Sequence, residues 1–269
     1  MPHRPLLSSA TIALTQAVEA IDERGRRSTI SIPAERPLTI YLDKRELVTL
    51  MTLGGAPEAL ALGYLRNQRF VRSIEDIAAV QVDWEVDAVA VTTHAGAGDI
   101  GEDGAGSGFG GLMEELDAIS ISQTARLRQS TLYRIIDAVR VQRSVYKQAG
   151  SLHGCALFSL EGEMLYFMED VGRHNAVDAI AGKMWLDDVS GEDKVFYTTG
   201  RLTSEMVIKG GQMGIPFLLS RSGTTQMGHE VAQRLGISMF ARCSGTHFLL
   251  LSGRERLILE PHLADAAAG

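Results

Sequence analysis

The sequence predicts an α/β protein with a mostly parallel sheet, preceded by a small N-terminal α+β unit. In the second half, short apolar runs alternate with helix-period runs of about ten residues, which is typical of strands joined by right-handed crossovers. In the first half, two β-rich runs flank a tight polar turn at Asp43-Lys44. The 269 residues are 45% hydrophobic, which is enough to bury a core without disulfides.

The N-terminal third is predicted to contain a flexible arm followed by the α+β subdomain. Residues 1–33 mix Ser, Thr, Arg and Ala, and they contain one helix-like patch from Ile12 to Ile21. Residues 34–94 form the subdomain, in which Pro57 starts a helix with apolar residues at helical spacing. Its predicted strands are Leu38–Leu42, Glu46–Met51, Val80–Val82 and Val86–Val91.

A Gly-, Asp- and Ala-rich stretch at residues 95–111 separates this subdomain from a last domain, residues 112–269. The stretch has almost nothing to bury and is predicted to be a mobile loop, either a lid or binding loop or an idle insertion. Helices are predicted within Glu114–Val145 and at Asn175–Leu186, Ser204–Gln212 and Thr225–Leu235. The predicted strands are Cys155–Leu160 in a hairpin with Met164–Met168, then Lys194–Thr198, Ile215–Leu219, Ile237–Ala241 and Phe248–Leu251.

Composition excludes several function classes. The formal net charge of −7 argues against a general binder of nucleic acid or membrane surfaces, which need a basic excess. No apolar run approaches the roughly 18 residues of a membrane helix, and the N-terminus lacks the apolar core of a signal peptide, so a cytoplasmic protein is expected. The two cysteines, Cys155 and Cys243, cannot form a metal cage alone, and no metal site is predicted. P-loop and G-x-S-x-G motifs are absent.

The stretch from Glu169 to Asn175 gathers two carboxylates, a glycine, an arginine, a histidine and an amide in one turn between a strand and a helix. Such a set is unusual for a surface turn without a task. Two structural explanations stay open, because Glu169 and Arg173 could simply pair and Asn175 could simply cap the helix.

Four turns that follow predicted strands each combine an arginine with glycine or serine. In a parallel sheet these turns share the carboxyl edge, where ligands bind. Glycine lets a ligand approach the backbone, and the planar fork of arginine matches phosphate oxygens, so the turns predict a large anionic ligand with several phosphates. Any single arginine could instead be a solvated loop charge. The turns are Gly172-Arg173-His174, Gly200-Arg201, Ser220-Arg221-Ser222-Gly223 and Arg242-Cys243-Ser244-Gly245.

These residues make the chain similar to the formate dehydrogenase accessory sulfurtransferase family, FdhD. The resemblance rests on the string E-D-V-G-R-H-N-A-V-D at Glu169–Asp178, on Gly200–Met206, on Ser220–Ser222 with Thr225, and on Phe240–Arg242. It implies a cytidine-deaminase-like core that binds bis-molybdopterin guanine dinucleotide as cargo, with GDP as a possible mimic. It also implies partnership with the catalytic subunit of formate dehydrogenase and with a cysteine desulfurase, and a homodimer.

One departure from the family pattern bears on activity. The C-x-x-C motif that holds a persulfide in the family is missing, because the glycine-rich stretch at residues 95–111 replaces it. Sulfur relay needs an accessible thiolate. The chain therefore resembles the FdsC-type cofactor-binding chaperones, and whether it is also an enzyme stays open.

Two alternatives remain beside the cofactor-binding chaperone. One is an active sulfurtransferase that uses Cys243, whose pKa Arg242 and an anion site would lower, or Cys155, which lies in an apolar stretch. The other is a regulator that binds only protein. Turn chemistry and resemblance together give these predicted cofactor-binding residues: Arg173, His174, Asn175, Gly200, Arg201, Ser220, Arg221, Ser222, Thr225, Phe240, Ala241, Arg242, Cys243, Ser244 and Gly245.

Overall fold

The computed structural model describes residues 4–96 and 115–266. Its helices are α1 (Pro57–Asn67), α2 (Gln129–Val141), α3 (Val145–Ala149), α4 (Arg173–Leu186), α5 (Ser204–Gln212), α6 (Gln226–Leu235) and α7 (Pro261–Ala266). Its strands are β1 (Leu6–Leu7), β2 (Thr15–Ile21), β3 (Arg27–Pro33), β4 (Arg36–Leu42), β5 (Arg45–Thr52), β6 (Ile77–Asp83), β7 (Ala88–Thr93), β8 (Leu127–Arg128), β9 (His153–Ser159), β10 (Met164–Asp170), β11 (Lys194–Thr198), β12 (Phe217–Ser220), β13 (Ser238–Ser244), β14 (His247–Ser252) and β15 (Leu257–Ile258). None of the described helices combines the length and the apolar character needed to cross a bilayer.

The chain divides into two units that are each discontinuous in sequence. The first comprises Met1–Gly104, Arg143–Gly154 and Met168–Asp187, and the second comprises Ala105–Gln142, Cys155–Phe167 and Asp188–Gly269. The sequence-based division assigned α4 to the last domain, whereas the structure groups it with the first unit. The predicted loop at residues 95–111 lies outside the described residues, apart from its first two positions.

The first unit is built on a five-stranded sheet in the order β1-β6-β7-β4-β5. The predicted strands and the helix that starts at Pro57 are confirmed, with ends shifted by a few residues. Its core is a single apolar cluster to which the sheet contributes Leu38, Ile40 and Val89, while α1 contributes Leu62 and Leu65. Burial of this one face fixes the strand register, because a slip of one residue would expose the apolar set.

Helices α1 and α4 pack closely within the first unit. A Cβ atom added to Gly63 would lie 1.7 Å from the carbonyl oxygen of Asp178, and one added to Gly182 would lie 1.9 Å from the carbonyl oxygen of Ala59. Each glycine therefore abuts the backbone of the facing helix. At the end of α1, the buried amide of Asn67 donates to the carboxylate of Asp178 at 2.7 Å. These contacts explain why α4 belongs to the first unit.

The predicted helix-like patch at Ile12–Ile21 is wrong. Strand β2 pairs antiparallel with β3 in a two-stranded ribbon, from Thr15↔Pro33 to Ile21↔Arg27. The turn between them is fixed by the carboxylate of Asp22, which accepts hydrogen bonds from the backbone N–H of Arg24 and of Arg26 at 2.9 Å each. Turn chemistry of this kind selects the hairpin, and it overrides the weak helical spacing of the apolar residues.

The second unit contains most of a six-stranded sheet in the order β10-β9-β11-β12-β13-β14. Strands β11, β12 and β13 run parallel, whereas β9 pairs antiparallel with β11 and β14 pairs antiparallel with β13. The α/β class is confirmed, but the sheet is mixed rather than mostly parallel, and its parallel part is this central run of three strands. The cytidine-deaminase-like character of the core stays a prediction.

Helical structure in the region Glu114–Val145 is shorter than the periodicity suggested. Only α2 and the start of α3 fall within it, together with a short 3-10 segment at Glu115–Ala118 and strand β8. Strand β8 pairs with β15, and the side chain of Ser144 caps α3 by accepting from the N–H of Lys147. The predicted helices α5 and α6 are confirmed.

Candidate functional site

The carboxyl ends of β11, β12 and β13 carry three loops that are joined by backbone hydrogen bonds. The N–H of Arg221, after β12, donates to the carbonyl of Thr198 at the end of β11 at 3.0 Å. The N–H of Leu202 donates to the carbonyl of Gly223 at 2.9 Å, and the N–H of Arg242 donates to the carbonyl of Ser222 at 2.7 Å. Each loop is therefore held against its neighbour, and the three arginine-bearing turns of this unit are adjacent, as predicted.

Buried hydroxyl groups fix the bases of these loops. The side chain of Ser220, fully buried, donates to the carbonyl of Gly200 at 2.7 Å and accepts from the N–H of Ser222 at 3.0 Å. The hydroxyl of Thr198 accepts from the N–H of Gly200 at 3.1 Å. Because buried hydroxyls are costly unless bonded, these contacts define one backbone path for each loop.

Arg242 occupies an unusual backbone conformation within β13. Its φ angle is 53°, in the left-handed region that non-glycine residues rarely adopt. The pairing of β13 with β14 shifts register between Ala241 and Ser244, so Arg242 and Cys243 form an irregular segment of the ladder. In this segment the side chain of Arg242 is exposed while that of Cys243 is buried. Strain of this kind costs about 1–3 kcal/mol and is concentrated at functional sites.

The three arginines at this edge are exposed cations without acidic partners. Arg201, Arg221 and Arg242 are all exposed, and none of them forms an ion pair with any residue in the described ranges. Other exposed arginines do form ion pairs, as when Arg140 pairs with Asp137 at 2.6 Å. The guanidinium groups are thus available to an anionic ligand.

Small residues leave room beside these arginines. Added Cβ atoms at Gly223 and at Gly245 would meet nothing within 4 Å, and Gly245 has a φ angle of 57°. Ser244 is exposed and Ser222 is half-buried. The backbone of these two turns therefore has open space beside it among the described residues, and the approach of a ligand stays a prediction.

Several predicted binding residues lie elsewhere than expected. Phe240 is fully buried in the apolar core, where its ring packs edge-on against Phe248 at a centroid distance of 5.6 Å, and Ala241 is buried beside it. Thr225 is the N-cap of α6, and its hydroxyl accepts from the N–H of Gly228 at 3.1 Å. The expectation that these side chains contact the ligand is not supported, because each is already used in packing or capping.

The two thiols are buried. Cys155 has no exposed surface, and its Sγ contacts the hydroxyl of Thr198 at 3.4 Å. Cys243 is 1% exposed, and burial raises the pKa of its thiol to about 12, against a smaller opposing effect of a backbone hydrogen bond from Ser220. The expectation that Arg242 lowers the pKa of Cys243 is therefore wrong, because the sulfur points into the core while the guanidinium points outward.

The turn at Glu169–Asn175 belongs to the first unit and is organised around Asp170. One carboxylate oxygen of this residue accepts from the hydroxyl of Thr52 at 2.5 Å and from the N–H of Leu53 at 3.1 Å. The other accepts from the N–H of Gly172 at 3.0 Å and from the amide of Asn175 at 2.8 Å. Asp170 is 5% exposed, so this carboxylate ties the turn to the end of β5 rather than acting on a ligand.

Both structural explanations of this turn, a Glu169–Arg173 ion pair and a helix cap by Asn175, are wrong. Glu169 accepts from the backbone N–H groups of Val145 and Tyr146, at 2.6 and 3.0 Å, and it forms no ion pair with Arg173 among the described residues. The N-cap of α4 is Gly172, so the helix begins at Arg173, and Asn175 lies inside it.

The polar side chains in the first turn of α4 differ in how many of their hydrogen-bonding groups are already used. Asn175 is 8% exposed, and its amide also donates to the carbonyl of Met51 at 2.7 Å. Arg173 and His174 are half-buried, and the buried Nε of Arg173 has no hydrogen-bond partner among the described residues. Arg173 thus keeps an unused buried donor, and the buried Nδ1 of His174 likewise has no hydrogen-bond partner among the described residues.

Thr52 and Thr198 contribute to these two turns but were not identified in the sequence. Each is the last residue of a strand and carries a buried hydroxyl that bonds the turn beyond it. A threonine at a strand end just before a glycine-containing turn is a usable signal for such a role. The carboxylate of Asp170, which the hydroxyl of Thr52 contacts, lies 118 positions further along the chain, and sequence spacing does not reveal it.

Comparison with known proteins identifies the family. The sequence model of the FdhD/NarQ family matches residues 33–258. A sulfur carrier protein FdhD from Listeria monocytogenes is 30% identical over 245 residues, which cover 84% of this chain and 91% of that protein. One from Saccharolobus solfataricus is 28% identical over 247 residues, covering 89% of this chain and 96% of that protein.

A crystal structure gives the same result. A protein from Desulfotalea psychrophila, described as a formate dehydrogenase accessory protein, superposes on this chain with a TM-score of 0.76 at 26% identity, over 91% of this chain and 98% of that chain. The chain belongs to the FdhD/NarQ family.

Proposed function

We propose that this protein is a formate dehydrogenase accessory protein that binds the molybdenum cofactor, bis-molybdopterin guanine dinucleotide, and assists its sulfuration and insertion into the catalytic subunit. The observation that carries the proposal is the edge formed by Arg201, Arg221 and Arg242. The loops that carry these arginines are hydrogen-bonded to one another, and the three side chains are exposed and without acidic partners in the described ranges. The accessory role of the Desulfotalea psychrophila protein is consistent with it.

The donors at this edge suit a dinucleotide cargo. Pyrophosphate oxygens accept paired hydrogen bonds from the planar fork of arginine, and such charge-assisted bonds are stronger than neutral ones. The cargo is multiply anionic, and the chain as a whole carries a formal charge of −7, so attraction has to come from a local concentration of cations. The open space at Gly223 and Gly245 allows the phosphates to approach the backbone.

The cysteines favour a cofactor-binding chaperone over a persulfide carrier. The relatives from Listeria and Saccharolobus are named sulfur carriers. This chain has two cysteines, Cys155 and Cys243, both are buried, and the pKa of Cys243 is raised to about 12. A persulfide forms on an accessible thiolate, which neither residue offers. We infer that this protein acts as a cytoplasmic homodimer that holds the cofactor, with a cysteine desulfurase as the source of sulfur.

Calorimetry with GDP tests the binding site. Wild-type protein should bind GDP, and Arg242→Ala should weaken binding about 10- to 100-fold, since a hydrogen bond to a charged group contributes about 1.5–3 kcal/mol. Arg140→Ala is the matched control, because this exposed arginine already pairs with Asp137 and should leave affinity unchanged. Absence of GDP binding, or equal affinity in the Arg242→Ala protein, would refute the site.

A second experiment separates the alternatives. Mass spectrometry of the purified protein should detect a copurifying pterin dinucleotide, and a protein-only regulator should carry none. Incubation with a cysteine desulfurase and labelled cysteine should leave Cys155 and Cys243 without persulfide sulfur. A persulfide on either residue, together with loss of formate dehydrogenase maturation in a Cys155→Ser/Cys243→Ser protein, would instead establish the sulfurtransferase.

A further inference from the structure

Strand β14 is the last strand of the six-stranded sheet, and its sequence does not protect the edge. Among the described strands it pairs only with β13. Its six residues, H-F-L-L-L-S, include no acidic residue, lysine, arginine or proline. Edge strands that stay uncovered are usually blunted by charges or proline, since their free N–H and C=O groups can pair with another chain.

The far end of β14 is fixed, whereas the segment before it is open. The register with β13 shifts at Leu251, whose carbonyl bonds the ring of His229 at 3.0 Å. The hydroxyl of Ser252 donates to the carbonyl of Ile237, and that of Ser238 donates to the carbonyl of Gly253, at 2.7 Å each. The edge available for pairing is therefore the part of β14 that precedes Leu251.

A cavity of about 470 Å³ lies beside this edge within the second unit. Its walls are mostly apolar and include Phe248 and Leu250 from β14 with Leu257 and Leu259 beyond it. Leu259 is 55% exposed, which is high for a leucine next to an apolar cavity. A cavity of this size accommodates at least one large apolar side chain.

Arg254 is the charged residue of the cavity lining. It is exposed and has no ion pair among the described residues. The adjacent carboxylate of Glu255 is directed elsewhere, because it pairs with Arg256 at 3.0 Å. The rim of the cavity thus presents an uncompensated positive charge next to an unpaired strand edge.

We propose that β14 binds an extended segment of a partner protein by strand addition. The segment places a leucine- or phenylalanine-sized side chain in the cavity and a carboxylate on Arg254. Strand addition of this kind takes affinity from main-chain hydrogen bonds and specificity from pockets for alternate side chains. A second copy of β14 fits less well, because the strand contains no carboxylate to meet Arg254. None of the residues that line the cavity belongs to the arginine loops, so this proposal does not depend on cofactor binding.

Selection from a displayed library of random hexapeptides tests the chemistry of the occupant. Full-length wild-type protein should enrich peptides that combine a large apolar residue with an acidic one. The Arg254→Glu protein should enrich basic residues at the acidic position. A synthetic peptide of the enriched sequence should bind Leu259→Glu at least tenfold more weakly than wild type. Leu6→Glu is the matched control, because Leu6 is an exposed leucine outside the cavity lining, and it should bind as wild type does.

Amide hydrogen exchange of residues 247–252 tests the binding mode. Addition of the selected peptide should slow amide exchange in β14. The sedimentation coefficient should match that of the original assembly with peptide bound, which shows that the protein has not self-associated further. The proposal is overturned if no sequence is enriched, if enrichment is the same for Arg254→Glu, or if the peptide binds without protecting β14. It is also overturned if β14 is already protected in a self-associated form that Leu259→Glu dissociates.

Discussion

The backbone N–H of Arg242 donates to the carbonyl of Ser222 at 2.7 Å while Arg242 keeps a left-handed φ of 53°. This hydrogen bond joins the third loop of the site to the second. It also explains how a non-glycine residue is held in a costly conformation, since the neighbouring loop fixes it. Backbone shape and side-chain charge at this position can therefore be separated by substitution.

Arg242→Gly should separate them. Glycine adopts the left-handed region freely, which raises the free energy of unfolding, but it also gives the unfolded chain more freedom, which lowers it. The net change should lie between zero and a gain of about 1 kcal/mol. GDP binding should nevertheless fall, because the guanidinium is gone. Arg242→Lys keeps the charge but loses the two parallel hydrogen bonds of the guanidinium. Its affinity for GDP should lie between those of the wild type and of Arg242→Gly. Urea unfolding and calorimetry on the same preparations measure both effects, and a Gly variant that binds GDP normally would contradict the role of the side chain.

Asp170→Asn should destabilise the protein by about 2–4 kcal/mol. The carboxylate accepts from four donors, two on each oxygen. An amide in its place replaces one oxygen by an NH2 group, which then faces two other donors, either those of Thr52 and Leu53 or those of Gly172 and Asn175. Asp137→Asn is the control, because Asp137 is exposed and its ion pair with Arg140 lies at the surface. Equal urea midpoints for the two variants would show that Asp170 does not hold the turn.

Gly63→Ala should be among the most damaging small substitutions in the chain. The new methyl group would sit 1.7 Å from the carbonyl oxygen of Asp178, so α1 and α4 would have to separate. A loss of about 3 kcal/mol or more is expected, because the contact is backbone and cannot move aside. Gly55→Ala is the control, since its Cβ would meet nothing closer than 3.9 Å. Thermal unfolding that leaves both variants alike would contradict the close packing of these helices.

Sequence reasoning recovered what depends on local pattern. The alternation that begins at Cys155 gave β9 to β14 and the helices between them, and the turn residues gave the three adjacent arginines of the second unit. It failed where contacts between residues far apart in the sequence determine the structure. The ribbon of β2 and β3 depends on the Asp22 turn, and the carboxylate of Asp170 is committed to Thr52, which lies 118 positions away.

The failure at Cys243 has a related cause. Cys243 belongs to an apolar cluster that strands β9, β11 and β12 also build, and these distant contacts bury its thiol. Neighbouring residues of a strand point to opposite faces, so the side chain of Arg242 is exposed while that of Cys243 is buried. The arginine therefore does not activate the thiol.

The thiol of Cys243 should therefore stay protonated and unreactive at ordinary pH. Its folded-state pKa of about 12 lies above the usual value of 9, so the stability it contributes is fully present below about pH 9 and is lost as pH rises toward 12. Iodoacetamide should label neither Cys243 nor Cys155 in native protein at pH 8, and it should label both in urea. The unfolding free energy should fall less between pH 9 and pH 11 in Cys243→Ala than in the wild type. Cys155→Ala, which removes the other buried thiol, is measured over the same pH range for comparison. Rapid labelling of native Cys243 at pH 8 would show an accessible thiolate and would restore the sulfur-carrier mechanism.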